Sequence, residues 1–175
     1  MPVLPLPDMN ALLRPFAPTD AAALARHAND RGIWQNLRDR FPHPYSLADA
    51  EGYIAFVNSE DGRRDLHLCV EAGGEAIGSI SLLFKQDVSR RSAEIGYWLG
   101  RAHWGRGIAS AAVRALAAYG FAYHDLARIY ALVFDHNAVS GRVLEKAGFA
   151  FEARLRQAIT KDGQTMDGLL YALVR

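Results

Sequence analysis

The sequence holds a single cysteine, Cys69, so neither an internal disulfide nor a thiolate-rich metal site can form. An excess of charge of either sign is also missing: 20 lysines and arginines stand against 19 aspartates and glutamates. That balance supplies no long-range field for gathering nucleic acid, so any anion site must be built locally. No apolar run reaches the roughly 18–20 residues of a membrane helix. The opening residues MPVLPLPDMN carry three prolines and no basic stretch ahead of an apolar one. They read as an irregular extension over 1–9 rather than a secretory signal. The six histidines form no H-x-x-x-H or cysteine/histidine ligand cluster, and no metal is expected. With no repeat, low-complexity tract or linker, the chain reads as one domain over 1–175, suited to the cytoplasm.

What is present is a regular alternation of strand and helix signals. Residues 10–16 (NALLRPF) read as a strand and 20–29 as a helix, followed by an irregular aromatic stretch from Arg31 to Tyr45. Ser46 with Asp49 marks the next helix start, an N-cap with an acidic first turn. In 66–71 (LHLCVE), Leu66, Leu68 and Val70 alternate with His67, Cys69 and Glu71, the pattern of a strand with one buried face. Cys69 at mid-strand, with no base beside it, reads as a small buried thiol. Strands at 76–84 and 92–99 complete a meander. Ile108, Ala112, Leu116, Ala117 and Tyr123 recur at helical spacing. A buried strand follows at 128–134, then a helix opened by Asn137 and closed by Gly148, then strands near 150–158 and 168–174. The order β-α-α-β-β-β-α-β-α-β-β describes an α/β domain with a mixed, mostly antiparallel seven-stranded sheet and about four helices.

The most informative stretch is YWLGRAHWGRGIAS, residues 97–110, where two glycines bracket an arginine at the mouth of the strongest helix. A helix start leaves its first N–H groups unpaired and carries partial positive charge, and glycine lets a ligand approach closely. That combination suits a phosphate or pyrophosphate; it also suits a tight strand-to-helix turn with no ligand. The P-loop pattern is absent. The dinucleotide fingerprint is half present, with Ser110 where a third small residue belongs, but a meander precedes it instead of parallel βαβ units.

Taken in order, these segments resemble the GNAT acyl-CoA N-acyltransferases. The family's cofactor loop, [QR]-x-x-G-x-[GA], aligns with Trp104–Ala109, with Trp in the first position. EIGYWL (94–99), Asn137 with Ser140, and Glu145–Phe149 match the branch that includes the ribosomal-protein N-terminal alanine acetyltransferases. FPHPY (41–45), LADAEGYI (47–54), Gly163 and Asp167 fit its remaining elements. The resemblance implies strands four and five splayed into a V that admits the pantetheine arm of acetyl-CoA. It implies cofactor contacts from Trp98 and Leu99 on a bulged strand eased by Gly96. It also implies contacts from Trp104, Gly105, Arg106, Gly107, Ile108, Ala109 and Ser110, and from Asn137 and Ser140.

The implied reaction moves acetyl directly to a primary amine in a ternary complex. Glu94 is the candidate base, acting through a water. Relatives of this branch can carry a glutamate where Ile159 stands here. Ser140 is the candidate acid for the leaving thiolate, with Tyr45, Tyr97 and Tyr130 as alternatives; Asn137 also reads as an N-cap. Arg101 reads as surface. Trp34, Arg38, Asp39, Tyr45 and Asp167 are candidates for holding the acceptor. The acceptor is expected to be the α-amine of a protein or peptide, with a small amine or a non-catalytic acyl-CoA sensor as alternatives. No nucleic acid or membrane partner is expected, and the chain would be a monomer or homodimer.

Overall fold

The first strand lies inside the segment expected to be irregular. In the computed structural model, which describes all 175 residues, Leu4–Leu6 (β1) pairs antiparallel with Ala11–Arg14 (β2). β1 is a sheet edge, so Pro5 loses no ladder bond by lacking an N–H. Then follow the helices Ala21–Ala28 (α1), Arg31–Trp34 (α2) and Leu47–Asn58 (α3). The single turn of α2 sits in the stretch read as irregular; Asp30 caps it by accepting from the Gly32 and Ile33 N–H groups. At α3, Ser46 and Asp49 cap each other reciprocally.

Leu66–Ala72 (β3), Glu75–Phe84 (β4) and Ser92–Leu99 (β5) form the meander. Ile108–Tyr123 (α4), Arg128–Phe134 (β6), Ala138–Lys146 (α5), Ala150–Lys161 (β7) and Gln164–Val174 (β8) complete the chain. The sheet has eight strands in the order β1-β2-β3-β4-β5-β6-β8-β7, and only β5 and β6 run parallel.

Both faces of this sheet are covered. On one, Leu116 of α4 and Leu144 of α5 share a core with Leu68, Ile80, Ile95 and Ile129 of the sheet. On the other, α1 and α3 cover a second core that includes Leu24, Val57 and Cys69. The alternation in β3 therefore does not separate core from solvent: His67 and Cys69 are as buried as their neighbours. Cys69 is the small buried thiol expected, and burial pushes its pKa up to about 12.

β7 and β8 are longer than the sequence suggests because the Asp162–Gly163 turn, both residues at positive φ, joins them directly. Most of the stretch left between the strands expected near 150–158 and 168–174 is instead paired strand, with register shifts at Phe151/Ala153 and Leu155/Ile159.

The geometry that creates the site lies at the parallel pair. β5 and β6 are hydrogen-bonded neighbours only from Ser92–Glu94 to Arg128–Tyr130. Beyond that, β5 stays with β4 as far as Leu99, and β6 stays with β8 as far as Phe134. The two strands part, leaving a V. No bulge produces it: the β4–β5 register is unbroken from Phe84↔Ala93 to Gly78↔Leu99, contrary to the bulged strand expected from the resemblance.

Candidate active site

The V opens into a cavity of about 670 Å³. β5, β6, the start of α4, one face of α5 and the segment from Gly32 to Arg38 enclose it. Strand parity tells which backbone groups face it. Ile77 O accepts from Gly100 N–H (2.8 Å) and Ser92 O accepts from Lys85 N–H (2.9 Å), so even-numbered residues of β5 turn their peptide groups toward β4. The peptide groups of Ile95, Tyr97 and Leu99 turn the other way, toward the missing β6 partner. Trp98 therefore spends its backbone on Ser79, its partner in β4, and lends only its side chain, packed edge-on against Phe41.

At the open end of the V, the loop 100–107 is folded back by three contacts. Trp104 Nε1–H donates to Leu99 O (2.7 Å), and the Arg101 guanidinium lies over the Trp104 ring at 4.9 Å. Arg101 is exposed, as its surface reading has it, and is also held in a two-pronged ion pair with Asp30 (2.7 Å each). Its guanidinium, ahead of a lesser opposing effect of burial, lowers the Asp30 pKa to about 2.

Gly105 and Gly107 both have positive φ, 73° and 80°, a region open to glycine at little cost. Gly107 is the N-cap of α4 and has no side chain with which to cap it. The N–H groups of Ile108, Ala109 and Ser110 begin the helix without a capping partner, beside the cavity. Arg106 is exposed and lies outside the cavity lining.

The two residues read as catalytic lie on opposite sides of the sheet. Glu94 is mostly covered (13% side-chain exposure) and ion-paired to Lys85 at 3.1 Å and to Arg38. On the α4 side, the Tyr97 hydroxyl and Ser140 Oγ are 2.8 Å apart, and both line the cavity. Burial pushes the Tyr97 pKa up to about 12 against the opposing pull of Ser140, so it is a neutral phenol at ordinary pH. Asn137 accepts from Ser140 N–H at 3.2 Å, the capping role, and also lines the cavity.

The acceptor candidates divide. Arg38 reaches the cavity through Glu94. Trp34 and Asp39 instead converge on Lys161 of β7, whose ammonium sits 4.1 Å from the Trp34 ring centroid and 3.0 Å from Asp39. Tyr45 does not reach the cavity: it is 6% exposed and packed in the α1/α3 core against Phe41. Asp167 is likewise outside, bonding Gln157 N–H (2.8 Å) and Arg154 (3.0 Å), where it ties down the β7 bulge.

Sequence reasoning missed Lys85, Asn36, Arg142 and Lys146. Asn36 donates to Gly32 O (2.8 Å), which leaves its Oδ1 to accept from His136 Nε2–H (2.8 Å) across the mouth of the V. Such a contact, between residues 100 apart, has no local signal. Arg142 and Lys146 had one: they lie four apart on a helix whose start had already been singled out.

Comparison with known proteins bears on this geometry. Residues 10–150 match the acetyltransferase (GNAT) domain. The chain is 40% identical over 174 residues to the probable N-acetyltransferase YjcK of Bacillus subtilis, covering 93% of this chain and 92% of that one. It is 40% identical over 101 residues to the uncharacterized N-acetyltransferase YoaA of the same organism, over 58% of this chain and 56% of YoaA. It is 28% identical to spermidine N(1)-acetyltransferase of Escherichia coli K12, over 87% of this chain and 79% of that enzyme. Among solved structures, RimL, a ribosomal L7/L12 α-N-protein acetyltransferase in complex with coenzyme A, superposes with a TM-score of 0.86 at 22% identity. That superposition covers 99% of this chain and 98% of RimL.

Proposed function

The chain belongs to the GNAT acetyltransferase family, and on that premise we propose that it moves an acetyl group from acetyl-CoA to the α-amine of a protein or peptide. One observation carries the reading. The unpaired edges of a split sheet and the uncapped start of α4 open into the same cavity. A pantetheine arm needs amide partners along its length, and a pyrophosphate needs converging N–H donors. The Ile95 and Tyr97 peptides and the Leu99 N–H, whose carbonyl is taken by Trp104, supply the first, and Ile108, Ala109 and Ser110 the second.

In the reaction, a C–N bond to the amine forms as the thioester C–S bond breaks. Backbone N–H groups of β5 polarise the carbonyl oxygen as it gains charge. Glu94, reached through a water, takes the proton that the amine nitrogen sheds. Ser140 passes a proton to the departing sulfur and takes one from the Tyr97 hydroxyl (2.8 Å), which recovers its own from water in the cavity, so that both end neutral. Because Glu94 is engaged by Arg38 and Lys85, the acceptor must displace Arg38 to reach it.

The charge around the cavity supports an acceptor with a single cationic centre. Four basic side chains line it (Arg38, Arg101, Arg142 and Lys146), and one acidic side chain, Glu94. A polyamine needs several free carboxylates; here Asp30, Asp39 and Glu94 already hold cations. An α-amine with pKa of about 7.7–8 is also partly neutral near pH 7, whereas a lysine amine at about 10.4 is not. A small amine is the second reading, favoured by the similarity to the spermidine enzyme.

The test is thiol release from acetyl-CoA with peptides of varied first residue in one pool and polyamines and amino sugars in another, with product masses recorded. Acetyl on a peptide α-amine is the expected result. Release with small amines only would move the acceptor class. No release from either, with a raised melting temperature on adding acetyl-CoA, would leave a cofactor-binding sensor.

A further inference from the structure

Trp34 and Asp39 lie outside the cavity, yet the four residues between them, Gln35, Asn36, Leu37 and Arg38, are all in its lining. One group holds both ends of this short strap. Lys161 Nζ sits 4.1 Å from the Trp34 ring centroid and 3.0 Å from Asp39 Oδ1. Lys161 arrives there from the tip of the β7–β8 hairpin, 122 residues along the chain from Asp39. Its ammonium is a compact charge with three donors, able to face a ring and a carboxylate at once.

The other ionic ties of residues 30–39 are exposed. Arg38 to Glu94, Arg101 to Asp30 and Arg31 to Asp162 each use an arginine more than half open to solvent, and such pairs hold weakly. The Lys161 side chain is 4% exposed. Asp39 faces solvent, so the ring is the firmer of its two holds: a cation shielded from water over an indole face outweighs an exposed pair. The strap carries Arg38 to Glu94 on β5 and Asn36 to His136 just beyond β6, one contact on each arm of the V. It thus walls the Glu94 side of the cavity, where the amine would arrive.

We propose that Lys161 is a positioning residue for the acceptor, an inference that rests on the N-acetyltransferase reading. Lys161 is itself outside the cavity lining. By stapling Trp34 to Asp39 it fixes the backbone of 35–38. The Arg38 side chain can then swing from Glu94 as the amine enters while the wall around it stays in place. A wall ordered beforehand spares the acceptor the cost of ordering it on binding. The cofactor, held by β5 and the start of α4, does not depend on the staple.

The test is Lys161→Met, which keeps the apolar stem and removes the charge, an exchange that buried sites often tolerate. The KM for a peptide acceptor should rise about tenfold, the ordering cost of a few lining side chains, while the acetyl-CoA KM holds its wild-type value. Trp34→Ala should act alike and carries the test should Lys161→Met fold poorly. The double variant should be no worse than the worse single, because one staple has been removed twice. Amide hydrogen exchange without any ligand should quicken at Gln35, Asn36 and Leu37, whose N–H groups bond the Arg31, Ile33 and Trp34 carbonyls. Lys161→Arg, which can also face a ring and a carboxylate, should bring both readings back toward wild type. Unchanged exchange in Lys161→Met and Trp34→Ala overturns the staple. Faster exchange with an unchanged acceptor KM, or equal rises in both KM values, overturns its role toward the acceptor and leaves the N-acetyltransferase reading standing. No turnover of any amine by the intact protein overturns the parent reading and that role with it.

Discussion

Replacing Tyr97 by Phe removes one oxygen and tests the proton route to sulfur. The hydroxyl is 2.8 Å from Ser140 Oγ, and its pKa of about 12 keeps the proton on it across the working range. It therefore serves as donor and never as base below about pH 10. A thiol leaving group has a pKa near 8.5, so at pH 7 a proton supplied in the transition state matters, though less than for an alkoxide. General acid catalysis contributes about 10²–10⁴-fold, and a relay one hydroxyl removed from sulfur belongs at the low end, so kcat should fall about 10²-fold. The KM for acetyl-CoA should change little, because the partners proposed above for the pyrophosphate and pantetheine are backbone groups. Loss of the bond costs about 1 kcal/mol of stability, visible in urea unfolding. Steady-state kinetics on Tyr97→Phe, Ser140→Ala and the double variant then distinguish a relay from two separate roles. In a relay, the double variant is no slower than the worse single. Full wild-type kcat in Tyr97→Phe, or losses in kcat that multiply, would refute the reasoning.

Glu94→Gln keeps the shape of the side chain but cannot accept a proton; kcat with a peptide acceptor should drop about 10²-fold with little change in acetyl-CoA affinity. A peptide rate equal to wild type would remove Glu94 from the chemistry. Gly107→Ala places a side chain at φ 80°. It should cost about 1–2 kcal/mol and raise the acetyl-CoA KM several-fold more than a surface substitution of equal destabilisation, seen by comparing kinetics with thermal melts. Asp20, 6% exposed, is paired with Arg14 at 2.7 Å. Burial opposes its ionisation, but the Arg14 guanidinium and the Ala17 N–H outweigh it and hold the pKa below the usual value. A depressed carboxylate contributes stability above its unfolded pKa of about 3.9, and that contribution disappears as pH falls through the lower folded value. Asp20→Asn should therefore destabilise by about 3 kcal/mol at pH 7, with the difference from wild type shrinking below pH 4 in denaturant titrations.

How much of this was legible in the sequence follows from the range of the signals. The helix caps at Ser46 and Asn137 and the glycines at 105 and 107 act over a few residues, and each appears where local pattern puts it. The seven strands after β1 were found for the same reason. β1 was missed because prolines argue against a strand unless it is known to be an edge, and edges are a tertiary fact. The Asp162–Gly163 turn was legible as a two-residue hairpin signal and was passed over in favour of a longer loop. The acceptor residues read least well. Tyr45 and Asp39 lie in one aromatic, charged stretch with no periodicity to say which side chain turns inward. Burial took Tyr45, and Lys161, distant in sequence, took Asp39.

The net charge of +1 illustrates the same division. A near-neutral chain excludes a global field but says nothing about how its charges are sorted. Here the sorting is done by pairing. Asp30 binds Arg101, and Glu94 binds Arg38 and Lys85, each tying a segment that encloses the site to its neighbour. The carboxylates near the cavity are thus spent on holding segments in place, and the cations left without a partner, Arg142 and Lys146 of α5, are exposed along its lining. A protein with no overall attraction for anions comes to have a locally positive groove. Its pull should reach only about a Debye length, some 8 Å at physiological salt, far enough to seat a phosphate and too short to collect a polyanion from solution.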